Sequence, residues 1–158
     1  MSHRTFEPKT FYELATYVNR LSNIIPQELK QAANRTCISR AYYAVFLSFR
    51  EKILALPIRN VELRKRIERT NDAHAIVAES IRKIDFNVGD YILNLRAKRN
   101  QADYMTNINV TSDDVIYVFK ITNEIFHELT AIVTKLKESD ILSAWNKIQQ
   151  ERERRYSF

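Results

Sequence analysis

Apolar residues recur at three- and four-residue steps in successive stretches of this chain, the spacing of one face of a helix. Phe11, Leu14, Ala15, Val18 and Leu21 predict a first helix from Lys9 or Thr10 to Ile24, closed by Pro26. Pro26 suits the first turn of a second helix, which the pattern carries to Leu56, where Pro57 stops it. This is the expected central element. Ile38, Tyr42, Val45, Phe49, Ile53 and Leu56 form one apolar stripe on it, and Tyr43, Leu47 and Leu54 form a second on another side. Such a helix must be covered twice, either by its own neighbours or by a second copy of the chain.

The segment from Arg59 to Arg69 carries five basic residues against two glutamates and reads as a short solvated helix or loop. Thr70, Asn71 and Asp72 then offer capping side chains to a helix bearing Ile76, Val77, Ile81 and Ile84. His74 falls in its first turn, where the positive helix end favours a neutral imidazole able to act as a base; a half-buried, hydrogen-bonded histidine is the plainer alternative. The next helix is expected to be capped by Asn87 and to end near Met105. Thr111 with Asp113 and Asp114 marks another start, and apolar steps from Val115 to Leu136 carry that helix to about Lys137. A last helix from Asp140 turns polar after Ile148 and is expected to fray through Gln149 to Arg155. With no repeat and no low-complexity linker, residues 1–158 predict one all-α domain, a bundle of about five to six helices.

Composition sharpens this picture. One glycine and three prolines in 158 residues leave little for hairpin turns, and they exclude the glycine-rich loops that cradle phosphate in nucleotide-binding folds. Cys37 is the sole cysteine, and His3, His74 and His127 are far apart in sequence, so neither a disulfide, a metal site nor a cofactor is expected. With no leader pattern at Met1 to Thr10 and no apolar run long enough to span a bilayer, the expected home is the cytoplasm, away from membranes. A formal charge of +6 makes acidic partners plausible, nucleic acid first.

The chemistry concentrates between Asp90 and Tyr104. On a helix, Ile92, Arg96, Arg99 and Asp103 share one side, flanked by Tyr91, Leu95 and Ala102 on one hand and Leu93, Ala97 and Tyr104 on the other. A charged strip with apolar flanks faces inward, and charges so placed need partners. Arg99 and Asp103, four apart, suit an internal ion pair, and Arg96 and Asn100 are similarly spaced. Two arginines share one aspartate in this strip, so an anion such as phosphate, which fits the guanidinium fork, is the other reading.

Ser39-Arg40-Ala41-Tyr42-Tyr43-Ala44, followed on a later helix by Arg96-Ala97-Lys98-Arg99-Asn100-Gln101-Ala102-Asp103-Tyr104 with His74 between, resembles the paired motifs of the HEPN superfamily. The resemblance covers most of the chain. It implies a small helical bundle that forms a homodimer, often beside a nucleotidyltransferase partner, and in many members a metal-independent ribonuclease acting as a toxin or defence effector. One departure stands out: the nuclease branch places a histidine four to six residues after the arginine, and the matching position here holds Tyr104. Tyrosine, with a pKa of about 10, is a poor base for a ribose hydroxyl at neutral pH. Two functions follow from the resemblance. One is a ribonuclease in which Arg96 and Arg99 hold phosphate, Asn100 and Asp103 orient them, and His74 or Tyr104 moves the proton. The other is a non-catalytic module that binds nucleic acid, a nucleotide or a nucleotidyltransferase partner.

Overall fold

A computed structural model describes residues 6–156, and among them it contains seven α-helices and one 3-10 turn and no strand. The helices are α1 (Thr10–Arg20), α2 (Lys30–Leu54), α3 (Val61–Arg69), α4 (Asp72–Ile84), α5 (Phe86–Tyr104), α6 (Ser112–Lys135) and α7 (Glu138–Tyr156), with the 3-10 turn at Gln27–Leu29. The all-α expectation holds, with one or two more helices than the sequence pattern suggested. None of the described helices is long and apolar enough to cross a membrane.

The differences have local causes. α1 ends at Arg20, short of Ile24, because Leu21 already shares its N–H between the carbonyls of Tyr17 and Val18 and the chain unwinds toward Pro26. Pro26 itself is extended, so the central helix begins only at Lys30. α5 begins before Asn87: Asp85, in extended conformation, accepts from the N–H of Val88 through Oδ1 at 3.0 Å and serves as the cap. α7 begins before Asp140, whose Oδ2 reaches back to the N–H of Lys137 at 3.0 Å, and it stays helical to Tyr156 instead of fraying. α3 is a packed helix, not a solvated segment, because Leu63 and Ile67 are fully buried beneath its basic face.

The chain groups into two compact units, one within Met1–Ser48 and Asn94–Glu124, the other within Phe49–Leu93 and Ile125–Phe158. In the first unit, Ile38, Tyr42 and Val45 of α2 are fully buried, as their stripe predicts, whereas Tyr43 and Leu47 are only half-covered. Leu14, expected in the core, lies on the outer side of α1 with Tyr17. α1 is tied to α6 by Tyr12, whose hydroxyl donates to the Phe119 carbonyl at 3.3 Å and to Asn123 Oδ1 at 3.1 Å. α6 opens on a reciprocal cap: Thr111 and Asp114 exchange hydrogen bonds, and Lys98 Nζ holds Asp114 Oδ1 at 2.7 Å. The Lys98 bond, with those of Thr111, keeps the Asp114 carboxyl below its usual range.

In the second unit, α4 packs against α3 and α7 through Ile76, Val77 and Ile81. Two side chains cross this packing. Asp72 accepts from Arg66 of α3 at 3.4 Å and from Arg152 of α7, so one carboxylate holds three helices. Glu138, at the start of α7, accepts from the backbone N–H groups of Arg59 and Asn60 at 3.0 and 2.8 Å and closes the entry to α3. Those backbone bonds hold its carboxyl below the usual glutamate range.

Gly89, the one glycine of the chain, is there for space. A Cβ at this position would sit 2.4 Å from the Cβ and 2.5 Å from the Cα of Arg82, so α4 and α5 approach at a point where only a hydrogen fits. Alanine would gain up to about 1 kcal/mol of helix propensity, yet a clash with backbone forces the helices apart, an overpacking that costs about 1–3 kcal/mol. Gly89→Ala is expected to lower the urea midpoint; an unchanged or raised midpoint would show that the contact yields freely. Glu138 gives a second expectation, with the sign of a depressed acid. Its contribution is present above the pKa of an unfolded glutamate and is lost as pH falls through the lower folded value. Glu138→Gln should therefore flatten the acid limb of stability against pH, measured by thermal melting from neutral pH downward.

Candidate functional site

The inward strip of α5 meets α2 in the first unit. Leu95 and Ala102 are buried there, Arg99 is only 9% exposed, Arg96 is half-buried, and Asp103 lies toward the surface. A guanidinium at that depth must spend its donors inside, and Arg99 does. Its Nη1 donates to Asn100 Oδ1 at 2.9 Å, its Nη2 donates to the Tyr43 hydroxyl, and its Nε lies 2.9 Å from Asp103 Oδ2 in an ion pair. The Nε contact is a charge contact without hydrogen-bond alignment. The π faces of Tyr43, Tyr104 and Tyr42 take up the remainder, with centroids 4.9, 5.4 and 5.6 Å from the guanidinium carbon. Burial works against the charge on Arg99, but the Tyr43 hydrogen bond and the neighbouring Tyr43, Tyr104 and Asp103 outweigh it and raise its pKa. Arg99 is a permanent cation held by one carboxylate and three aromatic rings.

α2 supplies the opposite wall. Ser39 donates from Oγ to Asp103 Oδ2 at 3.3 Å and accepts from Arg40 Nη2 at 3.4 Å. The Arg40 guanidinium stacks over Phe11 at 4.8 Å and Tyr43 at 5.2 Å and has no carboxylate partner among the described residues. Arg35, one turn earlier, donates to the carbonyls of Gln101, Ala102, Met105 and Ile108, so it binds the open C-terminal end of α5 as a side-chain cap. Arg35, Thr36, Ser39, Arg40 and Asp103 line a surface cleft of about 330 Å³. Arg96 forms no ion pair or hydrogen bond among the described residues, and its charge acts on Tyr42. Burial raises the Tyr42 hydroxyl well above its usual pKa, against the pull of Arg96 and Arg99.

Of the residues singled out in sequence, Arg96, Arg99, Asn100, Asp103 and Tyr104 fall in this first unit, and Asn100, Asp103 and Tyr104 all contact Arg99. Tyr104 turns a face toward the guanidinium while remaining 70% exposed. His74 is half-buried on α4, in the second unit, and already has an interaction of its own. His127 is an exposed α6 residue 4.0 Å from Glu128, and His3 lies outside the described residues. No group of three or more histidine, cysteine, aspartate or glutamate side chains suited to a metal ion occurs among the described residues. Cys37 is buried, donates to the Ala15 carbonyl at 3.3 Å, and has its thiol pushed up to about 11 by burial, which leaves it protonated and unreactive at neutral pH.

Three contributors were not assigned roles from sequence. Tyr43 falls on an apolar stripe of α2, although its hydroxyl is the acceptor that Arg99 needs. Arg40 stood in the motif with no task. Arg35 carried no signal at all, because the carbonyls it caps belong to backbone far along the chain. Comparison with family models, with curated proteins and with solved structures finds no match.

The geometry predicts a structural role for Arg99. Arg99→Ala would leave the Tyr43 hydroxyl and Asp103 without their cation, and since Asp103 lies toward the surface the cost is that of a hydrogen bond to a charged group, about 1.5–3 kcal/mol. Urea denaturation should show a loss of that order. A loss below about 1 kcal/mol would mean that the ion pair is dispensable and the guanidinium is held for a ligand.

Proposed function

We propose that this chain is an RNA-related protein of HEPN-like type whose first unit binds phosphate and does not cut it. The observation that carries the reading is the cleft beside Ser39 and Arg40: it joins two hydroxyls, from Thr36 and Ser39, to a stacked guanidinium with no carboxylate of its own. Arg99 spends its donors on Tyr43, Asn100 and Asp103, so the free positive charge of the motif pair resides on Arg40 and Arg96. Both are suited to phosphate oxygens. Cleavage of RNA without a metal requires a base as well as cation support. Within the first unit, the groups that contact Arg99 are acceptors and ring faces, and Tyr42 is held protonated by burial. Binding therefore accounts for the two hydroxyls and the stacked guanidinium of the cleft, while its carboxylate, Asp103, is taken up by Arg99.

The test uses labelled single-stranded RNA and two readouts. In fluorescence anisotropy, Arg40→Ala and Arg96→Ala should each weaken binding about tenfold, since a hydrogen bond to a charged group contributes about 1.5–3 kcal/mol. Each should also lower the slope of log affinity against log salt by about 1. Gel analysis of the same mixtures in EDTA should show intact RNA. Metal-independent cleavage that disappears in His74→Ala would replace this reading with the ribonuclease. Unchanged affinity in both arginine variants would remove the phosphate site.

We also propose that the chain self-associates, supported by the half-covered Tyr43 and Leu47 on α2 and the exposed Leu14 and Tyr17 on α1, all apolar surface of the first unit. Light scattering at micromolar concentration should read twice the 18.7 kDa of one chain. A monomer under those conditions would dismiss the idea.

A further inference from the structure

We infer that the second unit carries its own phosphodiester-binding surface, built on α3 and the C-terminal part of α7 around Trp145. It does not depend on the cleft beside Arg40. Arg66 of α3 and Arg152 of α7 lie over the same indole, with guanidinium carbons 5.4 and 5.9 Å from the ring centroid, and both reach Asp72. Arg66 is fixed a second time by Glu62, 2.8 Å from its Nε. Two guanidinium groups are thus oriented by one indole and two carboxylates, while each side chain remains more than a third exposed, at 39% and 49%. Together with Gln149 and Glu153 they line a pocket of about 280 Å³.

Charge runs outward from this pair. Arg69 lies one turn beyond Arg66 on α3, and Arg155 lies one turn beyond Arg152 on α7, so each helix presents two arginines on one face. Arg69 and Arg155 are exposed and have no ion-pair partner among the described residues. Glu153 tempers the rim of the pocket. The surface has no apolar seat, because Trp145 is closed over to 7% exposure by the arginines above it. A peptide partner would need an anchor of that kind. Guanidinium forks held in place beside loose cations instead match a ligand recognised through repeated negative charge, the phosphodiester backbone of a nucleic-acid strand.

Trp145 is the sole tryptophan in the chain, so its emission reports this surface and no other. The intact protein is titrated with a short oligothymidylate at low salt. A saturable change in Trp145 emission is expected, shifted to higher oligonucleotide concentration by about tenfold in Arg69→Ala/Arg155→Ala, where two phosphate contacts are lost. Both residues lie outside the Asp72 network, so the variant should fold normally, as circular dichroism would confirm. Arg66→Lys, which keeps charge but loses the fork, should also weaken the response. Arg40→Ala is the control and should leave it unchanged. If anisotropy detects binding while Trp145 emission stays flat, or if only Arg40→Ala alters the emission, the surface is not a site. A response to polyglutamate without one to the oligonucleotide would likewise overturn the proposal and make the ligand an acidic peptide. Failure of the cleft variants in RNA binding, with the Trp145 response intact, would refute the first site and leave this one standing.

Discussion

A guanidinium placed below the surface is the constraint from which the first unit follows. Arg99 cannot lose its proton and cannot lie 9% exposed without acceptors, so each of its edges and faces has to find a partner in the same fold. That demand fixes the Tyr43 hydroxyl on α2, the Asn100 amide and the Asp103 carboxylate on α5, and the rings of Tyr42, Tyr43 and Tyr104. Asp103 then serves two partners through one oxygen, Arg99 and Ser39, and this joins α5 to the turn of α2 that carries Arg40. The cleft is therefore a consequence of how one buried cation is satisfied.

The second unit solves an analogous problem with the charges reversed. Asp72 is the shared group there, a carboxylate mostly covered by α3, α4 and α7 that needs cations from two directions. Arg66 and Arg152 provide them, and the Trp145 indole supports both from beneath. Elsewhere in that unit the limit is volume: Arg82 comes so near the backbone of Gly89 that the chain uses its one glycine to allow it. Arg82 is then held by Asp90 at 3.0 Å and by the ring of Phe86 at 4.4 Å, so the close approach is tied on both sides.

What could be read from sequence was what depends on periodicity. The stripe of Ile38, Tyr42, Val45, Phe49 and Ile53 is buried, with Leu56, past the end of α2, only half-covered, and the Arg99–Asp103 spacing does form an ion pair. Boundaries set by single side chains were harder. Asp85 and Asn87 are both good caps, and only the backbone conformation selects Asp85. α3 is hard to read for a different reason: four basic residues among its nine dominate its composition, but two buried positions, Leu63 and Ile67, suffice to dock a short helix. Partners distant in sequence were invisible, since nothing about Arg35 indicates that it will cap carbonyls of α5, or about Tyr43 that its hydroxyl rather than its ring is the critical part.

The charge of the chain gains meaning once its pairing is known. A formal +6 spread evenly would be ordinary solvation, and it would say little about partners. Here the carboxylates nearest each cluster are already engaged: Asp103 by Arg99, Asp72 by Arg66 and Arg152, Asp114 by Lys98. Beside those pairs stand cations with no ion pair among the described residues, Arg40 and Arg96 in one unit and Arg69 and Arg155 in the other. Those residues lie beside guanidinium groups already fixed by internal pairs, Arg99 in one unit and Arg66 and Arg152 in the other, so part of the charge an incoming anion would meet has little freedom left to lose. A flexible lysine on an open helix face has no such advantage, because holding it in one geometry offsets most of what the ion pair contributes. The separation of fixed cations that hold the fold from unpaired cations beside them is what singles out these two faces, rather than the basic composition as a whole, for the binding of a polyanion proposed above.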